Sequence, residues 1–349
     1  MKKIFFYVFP FIFLCANAIA QTKDQYKVAI IGFYNCENFY DTIDQPDVED
    51  EEFTPTGPKH YDAVMYLDKV HHLATVLSQI GTDITPDGLS MFGCSEIENE
   101  EVLRDLISQP EFKNRNYSIV HYNSPDLRGI DVGFIYNPKY FKVKYSEPLF
   151  VHLPDEDNKP HYTRDVLYVY GEYDGEPLHV FVNHWPSRRG GEEISAPNRA
   201  LAAATCKAKM DSIIKINPEA KIVVMGDLND DPVSPSVTQV LKAKGDINKV
   251  KPGELYNPWT EMYNNGIGTL AYNDAWNLFD QIMISSAFIN KKQSGFFFKD
   301  AKIFRKDFMI EQNGHFKGYP KRTFSGNQYI AGYSDHLPTY LILLKKVNN

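Results

Sequence analysis

Six apolar, strand-like runs in this chain border a polar side chain of the kind that handles metals and phosphates. Five runs end in one, and the sixth run follows one. The bordering residues are Asn35, Glu96, His184, Asp227 with Asn229, Asp280, and Asp335 with His336. Rigid scaffolds tend to carry catalytic groups at the ends of their elements. We therefore expect a sheet that brings acids, amides and imidazoles to one shared edge.

The acid and the amide of Asp227 and Asn229 lie two residues apart, beyond the end of an apolar run. Because side chains in extended backbone repeat with a period of two, they point the same way. The acid can deprotonate or orient a water, and the amide can donate to a phosphoryl oxygen. Taken alone, the segment 226–229 is more typical of a simple turn after a strand.

Two histidines have suitable positions for acid or electrostatic catalysis. His336 stands at the entrance of the last strand, where it can protonate a leaving group or stabilise a developing oxyanion. His184 follows Asn183 at the end of another run, and Arg188 soon after adds donors suited to an anionic substrate. The plainer alternatives are a hydrogen-bonded loop histidine and a solvated basic loop.

Glu96 and Asn35 suggest a cation site. A carboxylate between a strand and a helix, joined by an amide from a neighbouring strand, makes a hard oxygen site for Mg²⁺, with Mn²⁺ as a substitute. Glu98 is a competing ligand, although its place nearer the helix favours a role at the helix start. Asp280 could accept a hydrogen bond from an active-site histidine and fix its tautomer.

The elements that must position these residues are mixed in type. Strands are predicted at 27–35, 90–95, 117–122, 131–137, 166–173, 178–183, 221–226, 279–285 and 339–345. Helices are predicted at 62–80, at 99–108 with Asn99 as N-cap, and at 196–216, opened by Pro197. Strands alternate with helices in places and follow one another elsewhere. This pattern favours mixed sheets covered by helices.

Two segments read as loops. Residues 41–59 are acidic and rich in proline, and residues 296–332 are rich in aromatic and basic side chains. The second could be a flap that faces the substrate or a surface insertion, since long ordered loops are often functional.

The first twenty residues have the pattern of a secretory signal peptide: a basic start, an apolar stretch and a small-residue cleavage site after Ala20. A lipid anchor on Cys15 is a weaker reading. We predict a cleaved signal peptide at 1–20, a single catalytic domain at 21–349, and an exported, periplasmic or extracellular protein. No later segment is long and apolar enough to be an integral membrane segment.

The 349 residues carry a formal net charge of −8. An acidic chain is repelled by polyanions, so tight, sequence-independent duplex binding is not indicated, although arginines and a metal could support a nuclease locally. Cys36, Cys94 and Cys206 are too few and too scattered for a disulfide framework. We expect a monomer.

Taken together and in this order, the motifs resemble the endonuclease/exonuclease/phosphatase family. The segments Gly226-Asp227-Leu228-Asn229 and Ser334-Asp335-His336-Leu337-Pro338 carry most of the resemblance. It implies a four-layer α/β sandwich, with two mixed β-sheets face to face and helices on the outer faces. It also implies metal-assisted hydrolysis of a phosphate ester.

The resemblance assigns roles by motif position. Glu96 would be the main metal ligand, with Asn35 and Asp335 beside it. Asp227 would prepare the attacking water and Asn229 would hold the phosphoryl group. His184 and His336 would stabilise the transition state, with Asp280 orienting His336. Asn183 and Arg188 are counted as substrate-binding candidates.

The segment 126–133 departs from better-known nuclease branches, where many relatives carry tyrosine or lysine. Arg128 is the natural phosphate-binding candidate here, and Asp131 could orient it or be an ordinary acid at the start of a strand.

The sequence therefore predicts an exported, Mg²⁺-dependent phosphodiesterase with nucleic acid as substrate. The alternative is a phosphatase or a lipid or inositol phosphodiesterase on the same scaffold. A non-catalytic binding module would lack a catalytic residue, and none is missing. A serine hydrolase using Ser334 or Ser187 lacks the Gly-x-Ser-x-Gly turn.

Overall fold

A computed structural model describes residues 1, 25–156, 158–290 and 295–347. Apart from Met1, the predicted signal peptide lies outside these residues. Within the described part of the chain, no helix has the length and apolar character needed to cross a membrane.

Sixteen strands and four α-helices make up the described fold. The strands are β1 (Tyr26–Phe39), β2 (Met91–Ile97), β3 (Ser118–His121), β4 (Asp131–Tyr136), β5 (Phe141–Leu149), β6 (Val166–Tyr173), β7 (Glu176–His184), β8 (Ile222–Asp227), β9 (Leu255–Tyr256), β10 (Leu270–Tyr272), β11 (Ala275–Asn277), β12 (Asp280–Ser285), β13 (Phe297–Ile303), β14 (Phe324–Ser325), β15 (Gln328–Tyr329) and β16 (Thr339–Lys346). The helices are α1 (Ala63–Gln79), α2 (Glu100–Ile107), α3 (Glu192–Ile216) and α4 (Thr260–Asn264).

Two six-stranded sheets dominate the architecture. The first has the order β13-β16-β1-β2-β4-β3 and the second the order β5-β6-β7-β8-β12-β9. Each is mixed: β1 and β2 run parallel in the first, β7 and β8 run parallel in the second, and their other neighbours are antiparallel. The prediction of mixed sheets is confirmed.

Three apolar layers hold the sheets and helices together. Along β1, Ile31 and Phe33 face the opposite sheet, whereas Ile30 and Tyr34 face the layer beneath α1 and α2. This alternation is the period of two expected for a strand covered on both faces. The second sheet is covered on its outer face by α3. The predicted four-layer α/β sandwich is therefore confirmed.

The helices lie close to their predicted positions, with differences that have physical reasons. Asp62 and Asn99 cap α1 and α2 by accepting backbone N–H bonds, as expected for such residues. The prediction that Pro197 opens the third helix is wrong: α3 begins at Glu192 and contains Pro197 in its second turn. The guanidinium of Arg199 donates to the Glu192 carbonyl, which helps to satisfy this first turn.

All nine predicted strands are present, but two long edge strands were missed. β5 and β13 carry alternating polar residues and exposed positions, so their apolar content is too low to indicate a strand. Because β13 pairs with β16, the start of the predicted 296–332 loop is instead part of the first sheet.

Candidate active site

The second sheet places three predicted residues in one row. His184 ends β7, Asp227 ends β8 and Asp280 begins β12, and the strand register pairs His184 with Asp227 and Asp227 with Asp280. Residues paired across strands point to the same face of a sheet. All three are buried. The topology alone therefore gathers an imidazole and two carboxylates.

Gly226 lets these strands approach closely. A Cβ atom on Gly226 would lie 2.3 Å from the backbone oxygen of Asn183, so no larger residue fits before Asp227. This contact explains the glycine of the segment 226–229.

The first sheet contributes Asn35 and Glu96 from the ends of its parallel strands. The register between β1 and β2 shifts after Asn35, and that between β2 and β4 shifts at Glu96. Glu96 has a positive φ of 55°. Bulges and left-handed non-glycine residues re-aim side chains and cluster at functional sites. The bulge turns Glu96 toward the second sheet.

Asn35 joins the two sheet edges. Its Nδ2 donates to Glu96 Oε1 at 3.2 Å and to Asp227 Oδ2 at 2.9 Å. Its Oδ1 accepts the backbone N–H of Glu37 at 2.8 Å. Glu96 Oε2 accepts the N–H of Asn38 at 2.9 Å. Asn35 thus lies between the two carboxylates, and its amide nitrogen separates them.

His336 enters from the first sheet, just before β16. Its Nδ1 donates to Asp280 Oδ2 at 2.7 Å, and its Nε2 lies 3.9 Å from Asp227 Oδ2. Ser334 Oγ accepts the His336 N–H at 3.1 Å and donates to the Asn35 carbonyl at 2.8 Å. The predicted pairing of Asp280 with His336 is present, with Nε2 left facing the acid cluster.

The two imidazoles have opposite protonation tendencies. Burial would lower the pKa of His336, but the charges of Asp280 and Asp227 raise that pKa well above its usual value. Burial, together with the nearby Arg164 and Arg128 charges, lowers the pKa of His184 well below its usual value. Near neutral pH, His336 is a cation and His184 is neutral, which suits different catalytic roles.

The acids also differ. Burial, with a contribution from Asp280, raises the pKa of Asp227 to about 6, although His336 opposes the rise. Burial acts in the same direction on Glu96, but Arg128, His336 and the Asn38 N–H outweigh it and lower the pKa of Glu96. Glu96 is therefore ionised, and Asp227 is near the pKa at which a carboxylate serves as a base at neutral pH.

These groups fit a divalent cation. Ligand atoms of Glu96, His184 and Asp227 lie within 4.8 Å of one another. Those of Asp227, Asp280 and His336 are equally close, but the cationic imidazole of His336 has no lone pair to offer a metal. Asp280 Oδ1 is buried without a hydrogen-bond partner in the described residues. Crowded, buried carboxylates with a free oxygen match the oxygen donors that Mg²⁺ and Mn²⁺ prefer.

Three further predicted residues lie beside this cluster. Asp335 Oδ1 is 3.9 Å from His336 Nε2, while its Oδ2 accepts a bond from Arg322 at 3.1 Å. Asn229, with a positive φ of 48°, donates its Nδ2 to the Trp185 carbonyl at 2.9 Å. Arg128 is 44% exposed. Its charge is close enough to lower the pKa of Glu96.

Two predicted substrate-binding residues are occupied elsewhere. Asn183 is fully buried, and its amide bonds the Met225 carbonyl at 3.1 Å and the indole N–H of Trp185 at 3.1 Å. Arg188 bonds Asp231 at 3.0 Å and the Asn229 carbonyl at 2.9 Å. The structure brings neither side chain into the acid cluster: Asn183 joins the end of β7 to β8, and Arg188 joins the loops that follow these two strands.

Asp131 does not orient Arg128. It accepts from Ser124 and contacts His121 Nε2 at 2.9 Å, whereas Asp126 is the acid nearest Arg128. Asp131 is thus the ordinary acid at a strand start, the second of the two alternatives.

Two groups at the site went unnoticed in the sequence. Lys69 is fully buried in α1 and lies 3.9 Å from Glu37. A lysine on an otherwise apolar helix face was the available signal. Arg164 bonds Asp126 at 2.9 Å and the carbonyls of His184 and Trp185, but it stands in a loop with no motif.

The fold is a two-sheet sandwich, and a cluster of acid, amide and imidazole side chains lies where the sheets end. This is the arrangement expected of the phosphoesterase class. The chain belongs to the endonuclease/exonuclease/phosphatase family, whose model matches residues 30–345. Members of this family are metal-dependent phosphoesterases.

Solved structures share the fold at low sequence identity. A TDP2 from D. rerio, humanized by 14 mutations, is 15% identical with a TM-score of 0.54, covering 90% of this chain and 98% of its own. A family member from Bacteroides thetaiotaomicron is 14% identical with a TM-score of 0.54, covering 94% and 98%. A mannosyl-6-phosphatase from the same organism is 13% identical with a TM-score of 0.51, covering 92% and 100%. No curated protein sequence matches this chain.

Proposed function

We propose that this protein is an exported, Mg²⁺-dependent phosphodiesterase that hydrolyses nucleic acid, with Mn²⁺ able to replace Mg²⁺. The observation that carries the proposal is the contact of Asn35 with both Glu96 and Asp227, which joins the ends of two sheets into one acid cluster. The TDP2 relatives add support, since one of them was solved with a single-stranded DNA product.

A divalent cation held by Glu96 with Asp227 beside it would withdraw charge from the phosphoryl oxygens. Asp227, with its pKa raised to about 6, orients a water and accepts its proton. His336 faces the same space through Nε2, and its cationic form stabilises the negative charge that develops there. Asp280 holds this imidazole in one orientation through Nδ1.

The other residues assist binding. Arg128 is an exposed cation close to Glu96 and can contact a phosphate oxygen. His184, which is neutral, can donate one hydrogen bond to the same phosphate. Asn229 positions the loop after β8: its backbone N–H donates to Asp227 Oδ1, and its side-chain Nδ2 donates to the Trp185 carbonyl.

A phosphatase is the second candidate, because a mannosyl-6-phosphatase shares the fold. A lipid or inositol phosphodiesterase would use the same chemistry. Export is supported by the signal-peptide pattern at 1–20. We also propose that the protein acts as a monomer.

A metal-supplemented activity panel tests the proposal. Purified protein is assayed on single-stranded DNA, plasmid DNA, RNA, mannose 6-phosphate, inositol phosphates and sphingomyelin. We expect cleavage of a nucleic acid that stops with chelator and returns with Mg²⁺. Turnover confined to a phosphomonoester or a lipid would replace the nuclease assignment with the second candidate. A serine hydrolase would be indifferent to chelator.

A further inference from the structure

A cavity of about 270 Å³ lies next to the acid cluster. The β10–β11 hairpin forms one wall, and the segment 311–335 forms the other. We call this cavity the aromatic pocket and define it by Tyr272, Phe316, Tyr319, Arg322 and Asp335. Much of its second wall comes from the aromatic and basic segment 296–332, for which the sequence predicted either a flap or a surface insertion.

The aromatic pocket shares a wall with the catalytic cluster. Asp335 lines the pocket and approaches His336 Nε2 at 3.9 Å. Arg322 also lines it and donates to Asp335 at 3.1 Å while remaining 50% exposed. A group bound in the pocket would therefore be attached close to a phosphate that contacts His336.

The pocket walls are fixed to each other and to the site. Tyr319 Oη donates to Asp274 Oδ1 at 2.7 Å and accepts the Asp274 N–H at 2.8 Å, which joins the hairpin to the 311–335 segment. At the base of the hairpin, the Thr269 carbonyl accepts the Leu337 N–H at 2.8 Å, directly after His336. The pocket is thus an ordered part of the same structure.

The exposed rings at the pocket have the character of a stacking surface. Tyr272 is 68% exposed and Phe316 is 55% exposed, although large aromatic side chains are usually covered. Arg322 can donate to a carbonyl on the edge of a flat ring, and Glu311 can accept from an amino group there. Successive bases of single-stranded nucleic acid stack on such platforms without needing a specific sequence.

We propose that the aromatic pocket binds one unpaired nucleobase of the substrate, immediately beside the scissile phosphate. The inference rests on the proposed function and narrows its substrate to single-stranded nucleic acid. A paired base cannot leave its stack without the cost of unpairing. The net charge of −8 also disfavours duplex, whose affinity depends on many phosphate contacts. A hexose fits less well, because one of the two carboxylates that would bind its hydroxyls, Asp335, is already paired with Arg322.

The test compares kcat/KM on two kinds of oligonucleotide with Mg²⁺ present. One is a single-stranded oligothymidylate with a single cleavable linkage, its other linkages being non-hydrolysable analogues, and the other lacks one base next to that linkage. The variants are Tyr272→Ala, Phe316→Ala and the exposed aromatic control Tyr145→Ala, which lies in β5 and is 51% exposed. Base–aromatic stacking of about 1–3 kcal/mol corresponds to roughly 5- to 150-fold.

We expect Tyr272→Ala and Phe316→Ala to lower kcat/KM on the intact oligonucleotide by about 5- to 150-fold. On the oligonucleotide without the base, wild type and variants should be equally slow, because the partner of the stacking is gone. Tyr145→Ala should match wild type on both, and duplex of the same sequence should be cut more slowly than single strand.

Equal losses on both substrates would overturn the inference, because the rings would then act independently of the base. So would unchanged rates in both variants, or a loss confined to mannose 6-phosphate, which would make the pocket a sugar site. If wild type cleaves no oligonucleotide at all, the proposed nuclease function itself fails, which is a separate result.

Discussion

At the scale of single residues, the site depends on neighbours that set two chemically equal imidazoles to different charges. His336 contacts Asp280 at 2.7 Å and is held as a cation, whereas His184 is buried beside Arg164 and is held neutral. Both histidines and Asp280 could be picked out from the sequence, since each borders an apolar run. The difference in charge between His336 and His184 could not be predicted, because it arises from residues distant in the chain.

Asp280→Asn tests this pairing. Without the carboxylate, the pKa of His336 falls, and its cationic form is lost at lower pH than in wild type. We expect kcat to fall roughly 10²–10⁴-fold and the alkaline limb of the pH–rate profile to move to lower pH. Kinetics on a phosphodiester across pH measure both effects.

Asp300→Asn is the matched control, because Asp300 lies in β13 with its side chain 51% exposed. An Asp280→Asn enzyme with the activity and pH profile of wild type would show that Asp280 does not act on His336.

Residue types alone misassign some roles. Asn183 and Arg188 have the right chemistry for phosphate, yet in the structure Asn183 bonds the Met225 carbonyl in β8 and Arg188 bonds Asp231. Whether a side chain faces a site or braces it depends on contacts that no local pattern encodes.

At the scale of elements, the loops around the site are tied by buried charges. Arg164 bonds Asp126 and the carbonyls of His184 and Trp185, so it connects the segment that carries Arg128 to the end of β7. Breaking a buried ion pair by removing one partner leaves an uncompensated charge.

Arg164→Met is expected to lower the free energy of unfolding by about 3–5 kcal/mol. Part of this loss should return in the double variant Arg164→Met/Asp126→Asn, where the buried charge is also removed. Chemical denaturation measures the three proteins. A loss below about 1 kcal/mol in the single variant would mean that the pair is not structurally important.

Glu98 connects the end of β2 to the 41–59 loop. It accepts from the Asp41 N–H at 2.6 Å and from Gln45 Nε2 at 2.8 Å. Burial raises the pKa of Glu98 from its ordinary value of 4.5 to about 8. The sequence predicted a role for Glu98 at the helix start, but its contacts are to the 41–59 loop, and Asn99 caps α2.

Glu98 should make stability depend on pH. Because its folded-state pKa is raised, its contribution is fully present below pH 4.5 and is lost as pH rises to about 8. The slope is at most about 1.4 kcal/mol per pH unit. Glu98→Gln should flatten the dependence in this window, measured by denaturation at several pH values.

Glu101→Gln provides the comparison, since Glu101 lies in α2 with its side chain 78% exposed. A wild-type stability that rises from pH 5 to pH 8, or a Glu98→Gln curve parallel to wild type, would contradict the assigned cause.

Most elements could be predicted because their apolar residues repeat with a clear period. Edge strands β5 and β13 were not predicted, because many of their positions face solvent and carry polar residues. In α1, Val64 and Leu67 follow the apolar pattern but are 75% and 58% exposed, while Lys69 is buried. The helix is rotated from the predicted face so that Lys69 reaches Glu37 and Thr323.

At the scale of the whole molecule, the site exists because two sheets end at the same place. β1 and β2 supply Asn35 and Glu96, β7 and β8 supply His184 and Asp227, and the Asn35 amide links the two sets. Motif order along the chain predicted this assembly through family resemblance. The substrate was not predictable, since it depends on surfaces such as the aromatic pocket, formed by segments without regular patterns.

The most direct test of the central claim is a metal titration of phosphodiester hydrolysis in wild type, Glu96→Gln and Glu101→Gln. We predict that chelator abolishes wild-type activity and that Mg²⁺ or Mn²⁺ restores it. Glu96→Gln should need at least about tenfold more metal for half-maximal rate, while Glu101→Gln follows wild type. Hydrolysis that persists in chelator, or a Glu96→Gln titration that overlays wild type, would contradict the account.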